Sequence, residues 1–383
     1  MTLKLMAGFD MYPGAADASK FPIQGQGIAG THYANLFDEV RTPFATNTYG
    51  VTGLPEHKLG LGSAVERNAL VFRRSGSQNT ALIARTKETY KAPNAGDIVA
   101  CAFTLKVLSG VNTAGYAYNV VTMTTSANGV IGGGNLLRLQ AASDATLQII
   151  WMAAALPLTT FPYLTVGREY HVEVRVYRRP ADAVGTITAD LYIDGEFIIS
   201  SPAFAGGTGI ETNGVKFMFG NAAINANLTI TMLLGDILIS EPGGTLFAAG
   251  IGPQLVLPSK VTAVTPGNWE KEGNVTAVDT LNDNDDTTYY ASPNDAGSMS
   301  AKVSAPMVSY PARATEVVIR ASRDRDAGRV LSVDLLGSTG NSLAPTQPIA
   351  TANGYNNYLL PRLINASETD LRAPTVRLTA TTP

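Results

Sequence analysis

The residues of this chain that could do chemistry are few and scattered. Its histidines are His32, His57 and His171, and Cys101 is its one cysteine. A trio of histidine ligands would require the fold to gather distant positions, and a single cysteine allows neither an internal disulfide nor a cysteine-rich zinc site. Carboxylates offer more. Glycoside hydrolysis with retention needs two of them about 5–5.5 Å apart, the separation that positions i and i+2 on one strand face supply. Asp194 and Glu196, within "ITADLYIDGEFIIS" (187–200), have that spacing. They flank Gly195, however, and an Asp-Gly pair between two alternating runs is what a two-residue hairpin demands, because both central residues take positive φ. Asp194 therefore reads as the residue that turns the chain, and only a glycosidase would give its carboxylate a further task. Glu173 has His171 and Arg175, not an acid, two residues to either side.

The densest acidic stretch is "VDTLNDNDDTTYY", with Asp279, Asp283, Asp285 and Asp286 among asparagines. Oxygen ligands at this density could hold Ca²⁺, and Asp283, Asp285 and Asp286 are the residues that would do so. The EF-hand frame fails from either Asp279 or Asp283, since no glycine falls at its sixth position and no glutamate at its twelfth. A polar turn entering a strand is the reading preferred. No G-x-S-x-G elbow, phosphate-binding G-x-x-x-x-G-K-[ST] loop or H-E-x-x-H helix is present. The glycines of "GVIGGGNLL" (129–137) precede a strand-like run, whereas a dinucleotide site needs a helix there. Cys101 alternates with Val99 and Phe103 and reads as a core thiol; His171 reads as a solvated or sheet-packed residue. No catalytic residue and no cofactor is assigned, and the chain is expected not to be an enzyme. For stacking on a sugar ring the candidates are Trp269, in the turn "TPGNWEKEG", and Tyr289 and Tyr290; Trp151 reads as core.

The elements that would position these groups are strands. In "EYHVEVRVY" (169–177) Tyr170, Val172, Val174 and Val176 alternate with His171, Glu173, Arg175 and Tyr177, and burying each apolar side chain is worth roughly 1.5–3 kcal/mol, which fixes the inward face. Similar runs recur at 69–74, 80–86, 98–107, 119–124, 135–140, 147–153, 214–220, 228–241, 315–322, 329–337 and 375–381, separated by Gly, Asn, Ser and Pro. "YANLFDEV" (33–40) could form two helical turns. With 37 Gly and 21 Pro among 383 residues, this is the profile of an all-β protein of more than one domain. A Gly/Pro-containing linker is placed at 246–262, after a β-sandwich spanning 1–245 and before a smaller β-domain at 263–383. A net charge of −3 argues against nucleic acid as a partner, which would need a basic surface. The longest apolar run, 149–158, is half of the roughly 20 residues that span a bilayer, and Pro157 interrupts it, so no membrane partner is expected. The first residues are too short an apolar run for a secretory signal, so synthesis in a host cytoplasm is expected.

The order of "GFDMY" (8–12), "ALVFRR", "EYHVEVRVY", "ADLYIDGEFI" and "GDILISE" resembles the concanavalin A-like, or laminin G-like, jelly roll of structural proteins from tailed bacteriophages. The following linker, the turn tryptophan Trp269 and "NDDTTYYAS" extend the resemblance over about the first 300 residues. It implies an all-β jelly-roll sandwich with a smaller C-terminal β-domain, and a non-enzymatic virion component of the tail, baseplate, fibre or collar region. It further implies homo-oligomeric assembly with other virion proteins. Two other readings stand beside it: a carbohydrate-binding module for host surface glycans, using Trp269, Tyr289 and Tyr290, and a capsid-surface decoration protein. A glycosidase using Asp194 and Glu196 is a third class. The calcium and sugar ligands of lectins with this fold have no matching residues here.

Overall fold

The computed structural model describes residues 2–7, 37–40, 44–45, 51–52, 66–67 and 69–74 and most of 82–381; every structural statement below is made of these described residues. The chain divides into two compact units, Met1–Val256 and Leu257–Pro383.

The first unit is a jelly-roll β-sandwich of two antiparallel sheets. Sheet A runs in the order Glu196–Ser200, Thr186–Ile193, Glu169–Tyr177, Ile98–Ser109, Ile230–Glu241, Ala69–Arg74 and Phe44–Ala45, with Thr2–Ala7 also paired to Ile230–Glu241. Sheet B runs Ala154–Ala155, Thr146–Trp151, Val130–Ala141, Ala117–Thr125, Val215–Asn221, Leu82–Thr86 and Phe37–Val40. One end of each sheet is a meander of consecutive strands, 169–200 in sheet A and 117–155 in sheet B, whereas central neighbours such as Ile98–Ser109 with Ile230–Glu241, and Ala117–Thr125 with Val215–Asn221, come from distant parts of the sequence, the mark of a wound sandwich. Residues 37–40 form an edge strand of sheet B where the sequence suggests helix. Four residues of Phe, Asp, Glu and Val gain more by pairing with 84–86 than by one isolated turn, which closes too few hydrogen bonds to offset its nucleation.

The core lies between the sheets. Val99, Cys101, Phe103 and Leu105 from one strand, Val172, Val174 and Val176 from its neighbour, and Ala189 and Leu191 from the next are all fully enclosed. They meet Val121, Met123, Leu137, Phe217 and Phe219 of sheet B, with Phe103 edge-to-face on Phe219 at 5.6 Å between centroids. Burial pushes the Cys101 thiol pKa well above its ordinary value, with the Glu173 charge adding to it, so the thiol stays protonated. Asp194 (φ 55°) and Gly195 (φ 82°) form the hairpin turn between Thr186–Ile193 and Glu196–Ser200.

The second unit packs a five-stranded sheet, ordered Val261–Thr265, Gly297–Val303, Thr375–Thr381, Val330–Leu336 and Gln347–Ile349, against the hairpin of Ala312–Ala321 and Asn356–Ala366. Val333, Ile349 and Leu360 form the centre, with Val317, Ile319, Tyr358 and Leu378 around them. A short pair, Glu270–Glu272 with Tyr289–Ala291, stands apart from that sheet. The turn leading into it closes on a hydrogen bond from the Trp269 N–H to the Pro266 carbonyl, 3.0 Å, with Gly267 at φ 62°. A Cβ at Gly267 would fall 2.0 Å from the Ser298 carbonyl oxygen. Gly267→Ala is therefore expected to destabilise this unit by at least about 2 kcal/mol, combining left-handed strain with the clash. Thermal unfolding of the variant, followed by Trp269 fluorescence, checks it.

Candidate functional site

Each sheet of the sandwich carries a row of polar residues on the side turned away from the core. On sheet A the outward residues of 169–177 are Glu169, His171, Glu173, Arg175 and Tyr177. Register brings Thr104 opposite His171, Tyr192 opposite Glu173 and Asp190 opposite Arg175. Asp236, in the left-handed region at φ 48°, occupies a bulge of its strand between Gly235 and Leu238, which aims its carboxylate onto the same face. Strand alternation predicts that such a face meets water, yet His171, Glu173 and Asp236 are each only 1% exposed.

Residues 250–253 and 256 lie against this face. Glu173 accepts hydrogen bonds from the Ile251 N–H (3.0 Å) and the Gly252 N–H (2.9 Å), and pairs with Arg175 Nε at 2.7 Å. Asp236 accepts the Val256 N–H at 3.0 Å and the Thr104 hydroxyl at 2.7 Å. The Arg175 guanidinium lies over the Tyr192 ring, 3.7 Å from its centroid, and directly under Gly250, where a Cβ would fall 1.6 Å from a guanidinium nitrogen. Neither ring nitrogen of His171 has a hydrogen-bond partner. Its burial lowers the imidazole pKa to about 4, while the charges of Glu173, Asp236 and Asp194 act in the opposite sense, so the ring is neutral at pH 7.

Asp194 belongs to this layer. One carboxylate oxygen accepts the His171 N–H at 2.9 Å and the other meets Arg168 at 3.4 Å, leaving the residue 6% exposed. Glu196 is exposed at the start of the next strand. The geometry gives Asp194 a place in the hairpin and its anchoring to the neighbouring strand.

The outer face of sheet B is different in charge. Lys216 stands opposite Thr124, and Met218 stands opposite Thr122 on one side and Arg85 on the other. Asn119 is opposite Arg138, and Arg138 is opposite Ile150. A bulge on each of two strands, near 120 and 136, keeps these residues on one side while Val121, Leu137 and Leu139 face the core. Gln148 extends the row at the Tyr163 position. Arg85, Arg138 and Lys216 thus share one face with Asn119, Thr122, Thr124 and Gln148. Arg138 Nε and Thr124 Oγ1 are buried without a hydrogen-bond partner. Sequence alone does not reveal this row, because its members come from five strands spanning 85–216 and no local spacing connects them.

The aromatic residues nominated by the sequence lie in the second unit and do not form one platform. Lys271 is opposite Tyr290 and Glu272 opposite Tyr289, so Tyr290 shares a face with Lys271, while Tyr289 points to the other side. The Tyr290 hydroxyl donates to the Ala277 carbonyl at 3.5 Å, and its burial raises the phenol pKa. Trp269 is half-buried with its indole N–H unpartnered, and Tyr289 is the exposed member at 39%. Asp283, Asp285 and Asp286, and also His32 and His57, lie outside the described residues. Among the described residues no group of three His, Cys, Asp or Glu side chains could hold a metal ion. No helix among them is long and apolar enough to cross a membrane.

No family model and no curated protein matches the sequence. Solved structures do. One is the alginate lyase AlgAT5 from Polysaccharide Lyase family 7, at 9% identity and a TM-score of 0.30, covering 46% of this chain and 79% of that one. Another is the alginate lyase Aly36B, at 13% identity and a TM-score of 0.31, covering 50% and 93%. An alginate lyase from Pseudomonas aeruginosa matches at 12% identity and a TM-score of 0.32, covering 45% and 83%. These findings correct two expectations from the sequence, that the chain is a non-enzymatic structural part of a virion and that it is not an enzyme, because the structures it is similar to are lyases. The error has a physical origin. The order of strand motifs reports a sandwich, and a sandwich of this kind hosts many activities; catalytic motifs are local spacings, whereas residues on a sheet face are brought together across strands. At these identities the likeness concerns architecture, and any role of either face rests on its own residues.

Proposed function

We propose that the chain is a carbohydrate-active protein whose sandwich engages an acidic polysaccharide on the outer face of sheet B. The observation that supports this reading is the row of partly exposed Arg85, Arg138 and Lys216 interleaved with partly exposed Asn119 and Gln148, with the buried Thr122 and Thr124 between them. Guanidinium groups bind carboxylates by paired charge-assisted hydrogen bonds, and amide and hydroxyl side chains suit sugar hydroxyls. A pleated sheet repeats outward side chains at about 6.5–7 Å along a strand, so successive residues of an extended glycan meet successive rows.

Affinity electrophoresis in gels containing alginate, a polyuronate, or a neutral glucan tests the reading. The chain should be retarded by the polyuronate alone, and the effect should weaken with added salt. Arg138→Ala should weaken binding by at least about tenfold, the value of one charge-assisted hydrogen bond. Equal mobility in both gels, or unchanged retention of Arg138→Ala, removes this face as the site. The appearance of unsaturated uronate ends, read by ultraviolet absorbance in the same mixtures, distinguishes cleavage from binding.

A further inference from the structure

The segment that covers sheet A is held in an unusual manner. Its amides at Ile251, Gly252 and Val256 are received by two side-chain carboxylates, Glu173 and Asp236, instead of by a backbone ladder. Its described side chains include one buried apolar anchor, Ile251, and Pro253 rests over Gly195. Gly250 (φ 105°) and Gly252 (φ 67°) give it a path that other residues would adopt only with strain. His171 lies among the groups that the segment touches, with Glu173 two residues along its strand, Thr104 and its partner Asp236 to one side and the Asp194–Gly195 turn to the other, and it is enclosed and without a partner for either ring nitrogen.

We propose that residues 250–254 and 256 form an acid-released strap, with His171 as the trigger and the carboxylates of Glu173 and Asp236 as the latch. The groups that face His171 define the switch. On its own strand these are Glu169, which pairs with Lys106 at 3.7 Å, and Glu173, which pairs with Arg175; the hairpin contributes Asp194 with Arg168, and the Ile230–Glu241 strand contributes Asp236. Thr104 lies opposite on the remaining side, and residues 250–256 bring no titratable side chain. A neutral imidazole is tolerated in this enclosure without hydrogen bonds. An imidazolium is not: it requires acceptors or water, and the two carboxylates whose charges favour it most, Glu173 and Asp236, are already engaged by the strap's amides. Charging the ring therefore draws on the latch and admits water along the path the strap vacates. The sign follows from linkage. The closed form holds the imidazole pKa at about 4 and the opened form returns it toward 6.5, so opening is favoured as pH falls through that interval and is not promoted above it. Release exposes Glu173, Arg175, Asp194 and Asp236 as a second polar surface, distinct from the cationic face of sheet B.

Hydrogen–deuterium exchange, corrected for the intrinsic pH dependence of the amide rates, tests this on the full chain. Peptides covering 250–256 should lose protection by about tenfold for each pH unit below 6, down to about 4.5. Peptides from 98–107 and 169–177 should stay protected over the same range. In His171→Leu the strap should remain protected throughout, and in Glu173→Gln it should exchange faster at pH 7 while the core peptides hold. Loss of strap and core protection at one common pH would overturn the proposal, as would an unchanged acid release in His171→Leu. If the leucine variant fails to fold, the wild-type comparison of strap with core and the Glu173→Gln result at pH 7 each decide the matter.

Discussion

Removing the Glu173 carboxylate is expected to cost the first unit about 3–5 kcal/mol, among the largest effects a single substitution should have here. In Glu173→Ala three donors lose their acceptor together: the Arg175 guanidinium at 2.7 Å and the amides of Ile251 and Gly252. Arg175 is 13% exposed by side chain and cannot simply turn to water, so the variant leaves a charge enclosed without its counterpart. The single tryptophan of each unit makes the measurement clean. Trp151 lies in sheet B of the first unit and Trp269 in the second, so urea unfolding of a Trp269→Phe background reports the sandwich alone. A drop in midpoint with little change in slope is the expected outcome. A change within about 1 kcal/mol would mean that the strap and Arg175 find other partners.

The second large effect is acid lability from His171. A histidine whose pKa is about 4 in the folded chain and 6.5 when exposed binds its proton more readily once freed. Its contribution is therefore complete above about pH 6.5 and is withdrawn as pH falls toward 4. Each pH unit between those two values is worth about 1.36 kcal/mol, so the full loss is roughly 3 kcal/mol. Unfolding free energies of the sandwich at pH 7 and pH 4.5 should differ by most of that amount in the wild type, and by much less in His171→Leu. The leucine variant should also match or exceed the wild type at pH 4.5, because it removes a buried polar ring that makes no hydrogen bond. Equal pH dependence in both chains would assign the acid sensitivity to the carboxylates instead.

Legibility from sequence divides along a physical line. The strands Glu169–Tyr177 and Thr375–Thr381 are legible to the residue, because side-chain period 2 and the cost of exposing Val172, Val174 and Val176 are local properties. The hairpin at Asp194 and Gly195 is legible for the same reason: two successive positive φ values are a requirement on residue type. By contrast, a tetrapeptide edge strand such as Phe37–Val40 depends on a partner about 45 positions away, and its local pattern also fits a helix.

Local residue pattern thus accounts for the strand inventory, the turns and the inward face of the sandwich. The use made of the outward faces is a property of the folded chain. Alternation marks His171 and Glu173 as outward, but whether outward means water depends on the path of residues 250–254 and 256, which no strand period encodes. In the same way Arg85, Arg138 and Lys216 become neighbours only through pairing register and two bulges, since a sheet brings its residues together perpendicular to the chain, at strand spacings of about 4.8 Å, regardless of their distance in sequence.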